Sequence, residues 1–381
     1  MNNEHIAYRI ITKSHELEQM AAELENEKAI GVDLESDSMF HYSEKVCLLQ
    51  ISTQTKNFLV DTVALKDLSL MKKIFRSKEI LKVFHGADYD IRSLNRDFAI
   101  VVNNLFDTQI AARLLGFREY SLSHLLKQLL GVVIEKKYQK KDWSKRPLTA
   151  AMLDYAAKDS CNLLNMHRIL ERQLVEKGRI SWAEEESRIL SKVRPHTNTN
   201  NQLFTNFRGA GKLAPRSLAV LEAILQFREG IAKRFDVPCF KILGNKQIME
   251  LSKKQPTTKK ALKATNCLSP KQLNSFETPL LKIINNAQNI PENKCPVYPN
   301  KAAKSFDPMA TKRIKALRLW RDSRAAELDI EPSLVCTNLQ IQLLATKYPQ
   351  DIKDVKNLSL IKDWQSRVFG MEIVNLLKST G

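Results

Sequence analysis

Short apolar runs alternate with amphipathic stretches through the first two hundred residues of the chain. Each run is rich in Val, Ile, Leu or Phe, a composition typical of buried strands. The predicted strands are 29–35, 46–52, 57–61 and 81–85. The predicted helices are 66–76, 89–97, 107–115, 121–130 and a long segment over 149–176. Strands that come first and then alternate with helices predict an α/β domain, with a mixed sheet flanked by helices.

The pattern changes near residue 206, after which helix signals recur without a convincing strand. Suitable N-cap residues and a proline at a first helical position mark three helix starts: Asn245, Thr257, and Ser269 with Pro270. Polar stretches over 195–211 and 289–308 predict linkers. The C-terminal part is therefore predicted to be entirely helical.

Two blocks within this helical part are similar to each other at a constant offset of 93 residues. The first block contains Arg228, Ala232, Asp236, Asn245, Ile248 and Leu251. The matching positions in the second are Arg321, Ala325, Asp329, Asn338, Ile341 and Leu344. Self-similarity at a fixed spacing predicts one small helical module used twice.

Charge is distributed unevenly along the chain. The 381 residues include 60 Lys+Arg and 42 Asp+Glu, a formal net charge of +18. Residues 1–205 contribute +3 and residues 206–381 contribute +15. This asymmetry favours a polyanionic partner for the helical part, and a lysine-rich solubilising surface is the alternative.

Composition places the chain among soluble globular proteins, with 43% hydrophobic and 27% charged residues. The six cysteines lie far apart and form no CxxC pair, which excludes a zinc ribbon and favours reduced thiols in a cytosol. The N-terminal stretch lacks the apolar segment of a secretory signal, and no apolar run reaches the ~18 residues of a membrane span. A cytoplasmic, multidomain protein is the expectation.

The strand over 29–35 places two carboxylates on one face. Three apolar residues alternate with Gly31, Asp33 and Glu35, so period-two geometry directs both acids to the same side of the sheet. Adjacent carboxylates repel each other, and a divalent cation such as Mg²⁺ or Mn²⁺ compensates for this repulsion. The alternative is a strand that leaves the core with its acids in solvent.

A second pair of acids begins the helix that follows the strand at 81–85. Asp88 and Asp90 both lie near the helix N-terminus, where free N–H groups and the helix dipole favour a carboxylate. One of them is a candidate cap, whereas the other lies where α/β sheets place ligands, beyond a strand end. The spacing alone does not choose between them.

A third acid lies on a helix together with a tyrosine. Tyr155 and Asp159 are four residues apart and share one helix face. A buried aspartate needs a partner, and a neighbouring tyrosine hydroxyl is suited to orienting a water molecule. The alternative is an ordinary Tyr–Asp pair at a helix surface.

These motifs resemble those of the DEDD superfamily of 3′–5′ exonucleases, in the branch with a tyrosine before its last aspartate. The matching positions are Asp33, Glu35, one aspartate of the 88–90 pair, Tyr155 and Asp159. The HGADYDI motif aligns the family's aspartate with Asp90, and residues 136–164 resemble the ribonuclease D pattern almost continuously. The two helical blocks look like the paired HRDC domains (helicase and RNase D C-terminal) of bacterial ribonuclease D.

The resemblance implies an α/β RNase H-like exonuclease domain over 1–205. It further implies HRDC-like helical domains over 206–290 and 308–381, joined by a linker over 291–307. It also implies a 3′–5′ exoribonuclease that releases nucleoside 5′-monophosphates from single-stranded RNA 3′ ends, such as those of tRNA precursors.

The resemblance assigns a role to each motif residue. The four acids would hold two Mg²⁺ or Mn²⁺ ions, and the tyrosine would orient the attacking water. The implied metal ligands are Asp33, Glu35, Asp90 and Asp159, with Tyr155 completing the catalytic set.

Two other functions share these motifs. A 3′–5′ exodeoxyribonuclease uses the same catalytic domain, and an inactive RNA-binding protein would keep its fold. The inactive form predicts the loss of at least one motif acid, and none is lost. His85, Trp143 and Arg146 are candidates for substrate contact, with a structural role in the strand end and the loop as the alternative.

Overall fold

Six strands form one mixed sheet in the computed structural model, which describes residues 6–135, 137–195, 202–299 and 308–380. The strands are β1 Arg9–Ile11, β2 Ala29–Ser36, β3 Val46–Ser52, β4 Asn57–Asp61, β5 Leu81–Phe84 and β6 Leu105–Asp107. Their order across the sheet is β1-β4-β3-β2-β5-β6. The β2–β3 and β3–β4 pairs are antiparallel, whereas β1–β4, β2–β5 and β5–β6 are parallel. The predicted meander and mixed sheet are confirmed.

In the described parts of residues 6–195, eight α-helices accompany this sheet. They are α1 Ser14–Leu24, α2 Met71–Arg76, α3 Asp88–Phe98, α4 Thr108–Leu115, α5 Leu122–Leu130, α6 Ala150–Cys161, α7 Leu163–Glu176 and α8 Ile180–Leu190. The long segment predicted to be helical over 149–176 consists of two helices, because Asn162 ends α6 and begins α7. The helix predicted over 66–76 begins only at Met71.

The junction between α6 and α7 lies directly on β2 because β2 carries a glycine there. A Cβ atom added at Gly31 would lie 2.8 Å from the Ser160 carbonyl oxygen, too close for any other residue. The Ser160 hydroxyl also lies 2.6 Å from that of Ser52 on β3.

Strand alternation then gives the sheet two different faces. Ile30 and its apolar neighbours pack on the α1 and α3 side, and Leu48 and Leu59 pack with Ala156 of α6.

The C-terminal part contains two matching sets of five helices. The first repeat consists of α9 Pro215–Phe235, α10 Cys239–Ile242, α11 Asn245–Lys254, α12 Lys259–Ala264 and α13 Pro270–Gln288. The second repeat consists of α14 Pro308–Leu328, α15 Pro332–Val335, α16 Asn338–Lys347, α17 Ile352–Lys356 and α18 Asp363–Thr380. Every helix of the second repeat begins 93 residues after its counterpart. Within the described residues both repeats lack strands, so the predicted helical module is confirmed.

Equivalent polar side chains stabilise both repeats. The Arg228 guanidinium donates to Asn245 Oδ1 at 2.7 Å, and Arg321 donates to Asn338 Oδ1 at 3.0 Å. Ser269 caps α13 through the Gln272 N–H as predicted. The other two predicted caps are each wrong by one residue, because the caps are Gly244 and Thr258.

Among the described residues, contacts define two compact units. The described part of the sheet unit comprises 6–36, 46–135, 137–195 and 308–380, and that of the first-repeat unit comprises 37–45 and 202–299. The second repeat therefore shares its unit with the sheet. The predicted domain limits stay a prediction, and residues 196–201 and 300–307 of the predicted linkers lie outside the described residues.

Within the sheet unit, the second repeat packs on α8 through buried aromatic and charged groups. The Trp182 and Trp364 rings stack with their centroids 4.5 Å apart. The Glu185 carboxylate accepts hydrogen bonds from the Asp363 and Trp364 backbone N–H groups at 2.7 and 2.8 Å. Glu186 accepts from the Trp364 indole at 2.9 Å. An acid of α8 thus caps the last helix of the chain.

Trp364→Ala should lower the free energy of unfolding of the sheet unit by about 3–5 kcal/mol, because the substitution leaves a large buried cavity. Denaturant unfolding followed by tryptophan fluorescence and circular dichroism measures this change. The matched control is Lys271→Ala, at the equivalent exposed position of the first repeat, which should have little effect. Equal, small effects of both substitutions would contradict the account of this packing.

Candidate active site

Four carboxylates meet where β2 and β5 end. Asp33 and Glu35 project from β2 on the face that packs against α6, which carries Asp159. Because β2 and β5 are parallel, their carboxyl ends lie side by side, and the chain leaving β5 enters α3 with Asp90 in its first turn. Glu35, Asp90 and Asp159 are at most 8% exposed, and Asp33 is half-buried.

The acids are close enough to influence each other's ionisation. Burial raises the pKa of Glu35 well above its usual range, and the nearby charges of Asp33, Asp159 and Asp90 raise it further. Burial also raises the pKa of Asp33 to about 7. Burial and the charge of Asp33 together raise the pKa values of Asp90 and Asp159. The four groups therefore form a single electrostatic cluster.

The structure separates the two aspartates of the 88–90 pair. The Asp88 carboxylate faces solvent, with its side chain 59% exposed, and forms an ion pair with Arg92 at 2.7 Å. Asp90 is 8% exposed and lies beside Asp33. Of the two, Asp90 joins the carboxylate cluster.

Tyr155 lies beside the cluster on α6. Its hydroxyl is hydrogen-bonded to Asp159 one helical turn later, and its ring packs against those of Tyr138 and Trp143, with centroids 5.9 and 6.2 Å away. Burial, followed by the charges of Asp159 and Glu35, raises the pKa of Tyr155 far above its usual value. The hydroxyl therefore remains protonated at physiological pH and acts as a hydrogen-bond donor.

The three candidates for substrate contact are either buried or bound to other groups of the fold. His85 Nδ1 lies 3.0 Å from Thr108 Oγ1, and burial lowers the pKa of His85, which favours its neutral form. Trp143 is completely buried. Arg146 binds both carboxylate oxygens of Asp61 at 2.6 and 2.7 Å. These contacts support the structural alternative, in which Trp143 and Arg146 anchor their loop.

Sequence reasoning missed one residue that shapes the site. The Asp107 carboxylate accepts hydrogen bonds from the backbone N–H groups of Gly86 and Ala87, at 3.1 and 2.7 Å, and also caps α4. These bonds fix the turn that precedes α3 and thereby the position of Asp90. The N-cap signature of Asp107 before an apolar helix was visible in the sequence, but its long-range partners were not.

The donor set fits hard divalent cations. Carboxylate oxygens are the ligands that Mg²⁺ and Mn²⁺ prefer, and Asp159 Oδ1 is buried without a hydrogen-bond partner in the structure. Across the described ranges, no group of three or more His, Cys, Asp or Glu side chains forms a ready-made metal cage. The fit therefore rests on the chemistry of the buried carboxylates rather than on a closed coordination shell.

Comparison with known protein families gives three matches along the chain. Residues 8–175 match the 3′–5′ exonuclease family. Residues 217–284 and 310–377 each match the HRDC domain, and the two matches begin 93 residues apart. The fold and the carboxylate cluster thus define a 3′–5′ exonuclease domain followed by two HRDC domains.

Curated relatives named as a ribonuclease and as an exosome exonuclease are similar to much of the chain. Ribonuclease D of Bartonella henselae is 26% identical over 374 residues, which cover 97% of this chain and 90% of that protein. The exosome complex exonuclease RRP6 of Saccharomyces cerevisiae is 34% identical over 264 residues, covering 65% of this chain. The chain spans only 36% of that longer relative.

Two solved structures are also similar to this chain. The catalytic core of RRP6 from Trypanosoma brucei is 31% identical with a TM-score of 0.63, covering 75% of this chain and 81% of that one. Escherichia coli RNase D, at 23% identity, shares the fold over 98% of this chain and 99% of its own, with a TM-score of 0.74. The chain belongs to the ribonuclease D family of DEDD exonucleases, and it is a 3′–5′ exoribonuclease. The predicted family, fold class and activity are confirmed.

Proposed function

We propose that Asp33, Glu35, Asp90 and Asp159 hold two divalent cations, Mg²⁺ or Mn²⁺, and that Tyr155 orients the attacking water. The observation that carries this proposal is the meeting of four mutually repelling carboxylates at one end of the sheet, three of them buried and Asp33 half-buried. When bound, such ions activate water and stabilise the leaving 3′-oxygen of a phosphodiester. Family membership makes the exonuclease dependent on divalent metal, and the number and identity of the ions are part of the proposal.

The protein's own groups have distinct tasks in this mechanism. Tyr155 stays protonated, so its hydroxyl positions the water through hydrogen bonding and does not remove the proton. Glu35 contacts the terminal 3′-hydroxyl of the RNA, which selects a free chain end. Hydrolysis then releases one nucleoside 5′-monophosphate at a time.

The proposed substrate is RNA with a single-stranded 3′ end, and the proposed role is the trimming of tRNA precursors. The ribonuclease and exosome names of the relatives support RNA as substrate.

Separated thiols without a disulfide framework support a cytoplasmic location. No helix in the described residues is long and apolar enough to span a membrane. We retain the domain limits 1–205, 206–290 and 308–381, with the linker over 291–307, as part of this proposal.

The first repeat is the stronger candidate for holding RNA. Residues 202–299 contain 16 Lys+Arg and 6 Asp+Glu, whereas residues 308–380 contain 12 and 8. The second repeat also uses part of its surface against α8. Nonspecific RNA binding depends on phosphate contacts from basic side chains. The excess positive charge therefore assigns this task to the first repeat.

One triple variant reverses three exposed charges of the first repeat by replacing Lys246, Lys253 and Lys260 with Glu. It should bind RNA about tenfold more weakly or worse, and the slope of log affinity against log salt concentration should become shallower by about two. Fluorescence anisotropy with labelled RNA over a salt series measures both quantities. The matched control reverses three exposed lysines of the second repeat, Lys347, Lys353 and Lys356. Equal losses in the two triple variants would contradict the assignment.

The substrate proposal is tested by offering the enzyme a tRNA precursor with a 3′ trailer and a DNA oligomer of the trailer sequence. We expect stepwise shortening of the trailer, a stop near the folded tRNA body, and much slower degradation of DNA. Equal rates on RNA and DNA would contradict the proposed substrate. The same precursor with its 3′ end base-paired to a complementary strand should resist shortening.

A further inference from the structure

Gln50 lies beside Asp33 in the interior of the sheet. It is the cross-strand partner of Asp33 on β3, and it is completely buried. Directly opposed residues of antiparallel strands project to the same face, with Cβ atoms ~4.5–5.5 Å apart. The Gln50 amide and the Asp33 carboxylate therefore occupy the same face of the sheet, the one covered by α6.

The Gln50 amide has no hydrogen-bond partner in the described structure. Both its Oε1 and its Nε2 are buried and unsatisfied. A buried polar group left without a partner lowers the free energy of unfolding. Gln340 provides a contrast within the same chain. It is also buried, but it donates to the Leu360 carbonyl at 2.8 Å and to Gln365 at 2.7 Å, and accepts from the Thr337 N–H at 2.7 Å.

Within the sheet, few polar groups lie next to that amide. Its cross-strand neighbour on β4 is Leu59, and the next residue on its own face of β3 towards the N-terminus is Leu48. The next residue in the other direction is Ser52, whose hydroxyl already pairs with Ser160 at 2.6 Å. By strand register, the Asp33 carboxylate is the acceptor on the facing residue of β2.

We propose that Gln50 is a positioning residue, whose Nε2–H donates to the Asp33 carboxylate when that carboxylate is ionised and binds a cation. The inference rests on the proposed role of Asp33 as a metal ligand. A hydrogen bond to one carboxylate oxygen fixes the rotamer of the side chain and directs the other oxygen towards the ion. The buried amide thus lowers the stability of the fold but increases the affinity for metal, and such a loss of stability in favour of activity is common at functional sites.

Gln50→Met in the full-length enzyme tests the proposal, because Met has a similar volume without amide groups. Mn²⁺ binding without RNA is measured by titration calorimetry, together with the Tm, the kcat and the KM for RNA. We expect Mn²⁺ affinity and kcat to fall about 10–100-fold, the KM to remain unchanged, and the Tm to remain equal or rise. As a matched control, Gln340→Met should lower the Tm and leave Mn²⁺ affinity unchanged.

Unchanged Mn²⁺ affinity in Gln50→Met would overturn the proposal, and so would a lowered Tm, since the amide would then stabilise the fold. Gln50→Leu serves as a second variant, and failure of both variants to fold counts against the proposal. Asp33→Asn separates this inference from the proposed function. If Asp33→Asn abolishes Mn²⁺ binding and Gln50→Met does not affect it, only the role of Gln50 is wrong. If Asp33→Asn also leaves binding intact, the assignment of the metal ligand is wrong.

Discussion

Asp90→Asn is expected to reduce kcat on RNA by about 10³-fold or more, with RNA affinity retained. The substitution replaces a buried carboxylate of the four-acid cluster with a neutral amide, which weakens cation binding where charge develops in the transition state. Because RNA is held mainly through phosphate contacts elsewhere, binding of the substrate should persist. Release of labelled nucleotides measures kcat, and anisotropy measures affinity.

Asp88→Asn is the matched control, two residues away on the same helix. The Asp88 side chain is 59% exposed and paired with Arg92, and exposed ion pairs contribute only about 0–1 kcal/mol to stability. We expect its kcat to stay within about twofold of wild type, as for other exposed side chains remote from the chemistry. An inactive Asp88→Asn enzyme beside an active Asp90→Asn enzyme would exchange the roles of the two aspartates.

Tyr155→Phe is expected to lower kcat about 100-fold and to leave the KM for RNA nearly unchanged, because the lost hydroxyl acts on the attacking water. Burial and the charges of Asp159 and Glu35 raise the pKa of Tyr155 above its ordinary value of 10.0. The hydroxyl therefore stays protonated through an assay from pH 6 to 9. The pH–rate profile of the variant should keep the wild-type shape at a lower level.

A change in shape would contradict this role. If the basic part of the pH–rate profile disappeared in Tyr155→Phe, the hydroxyl would ionise in the working range and act as a base. Tyr138→Phe is the matched control, since its ring packs 5.9 Å from that of Tyr155. Its kcat should remain close to that of the wild type.

The alternation of apolar and polar residues along β2 was sufficient to predict which face carries Asp33 and Glu35. The period-two pattern over 29–35 put Asp33 and Glu35 on one face, and the structure shows them there. The choice of Asp90 over Asp88 needed either the resemblance or the structure, because both acids occupy the first turn of one helix. The break at Asn162 was also hidden, since residues on both sides of it favour a helix. The three-residue strands β1 and β6 were too short to give a periodic signal.

The different surroundings of the two repeats could not be predicted from the repeat pattern. Equal spacing indicates equal folds, and the helices do begin 93 residues apart. The packing of Trp364 on Trp182 depends on residues nearly two hundred positions apart in the chain, and no local pattern reports such a contact. Deletion of 206–381 would therefore remove part of the core of the sheet unit as well as the proposed RNA-binding surface. Charge reversal tests RNA binding by the first repeat and leaves the core of the sheet unit intact.

The most direct test of the whole account follows one RNA labelled at its 3′ end and the same RNA labelled at its 5′ end. In Mg²⁺, the 3′ label should be released at once as a nucleoside 5′-monophosphate, while the 5′-labelled strand shortens one nucleotide at a time. With EDTA, both signals should stop, and added Mg²⁺ should restore them. Continued release in EDTA, or internal cleavage of the 5′-labelled strand, would contradict a carboxylate site that hydrolyses RNA from its 3′ end with divalent metal.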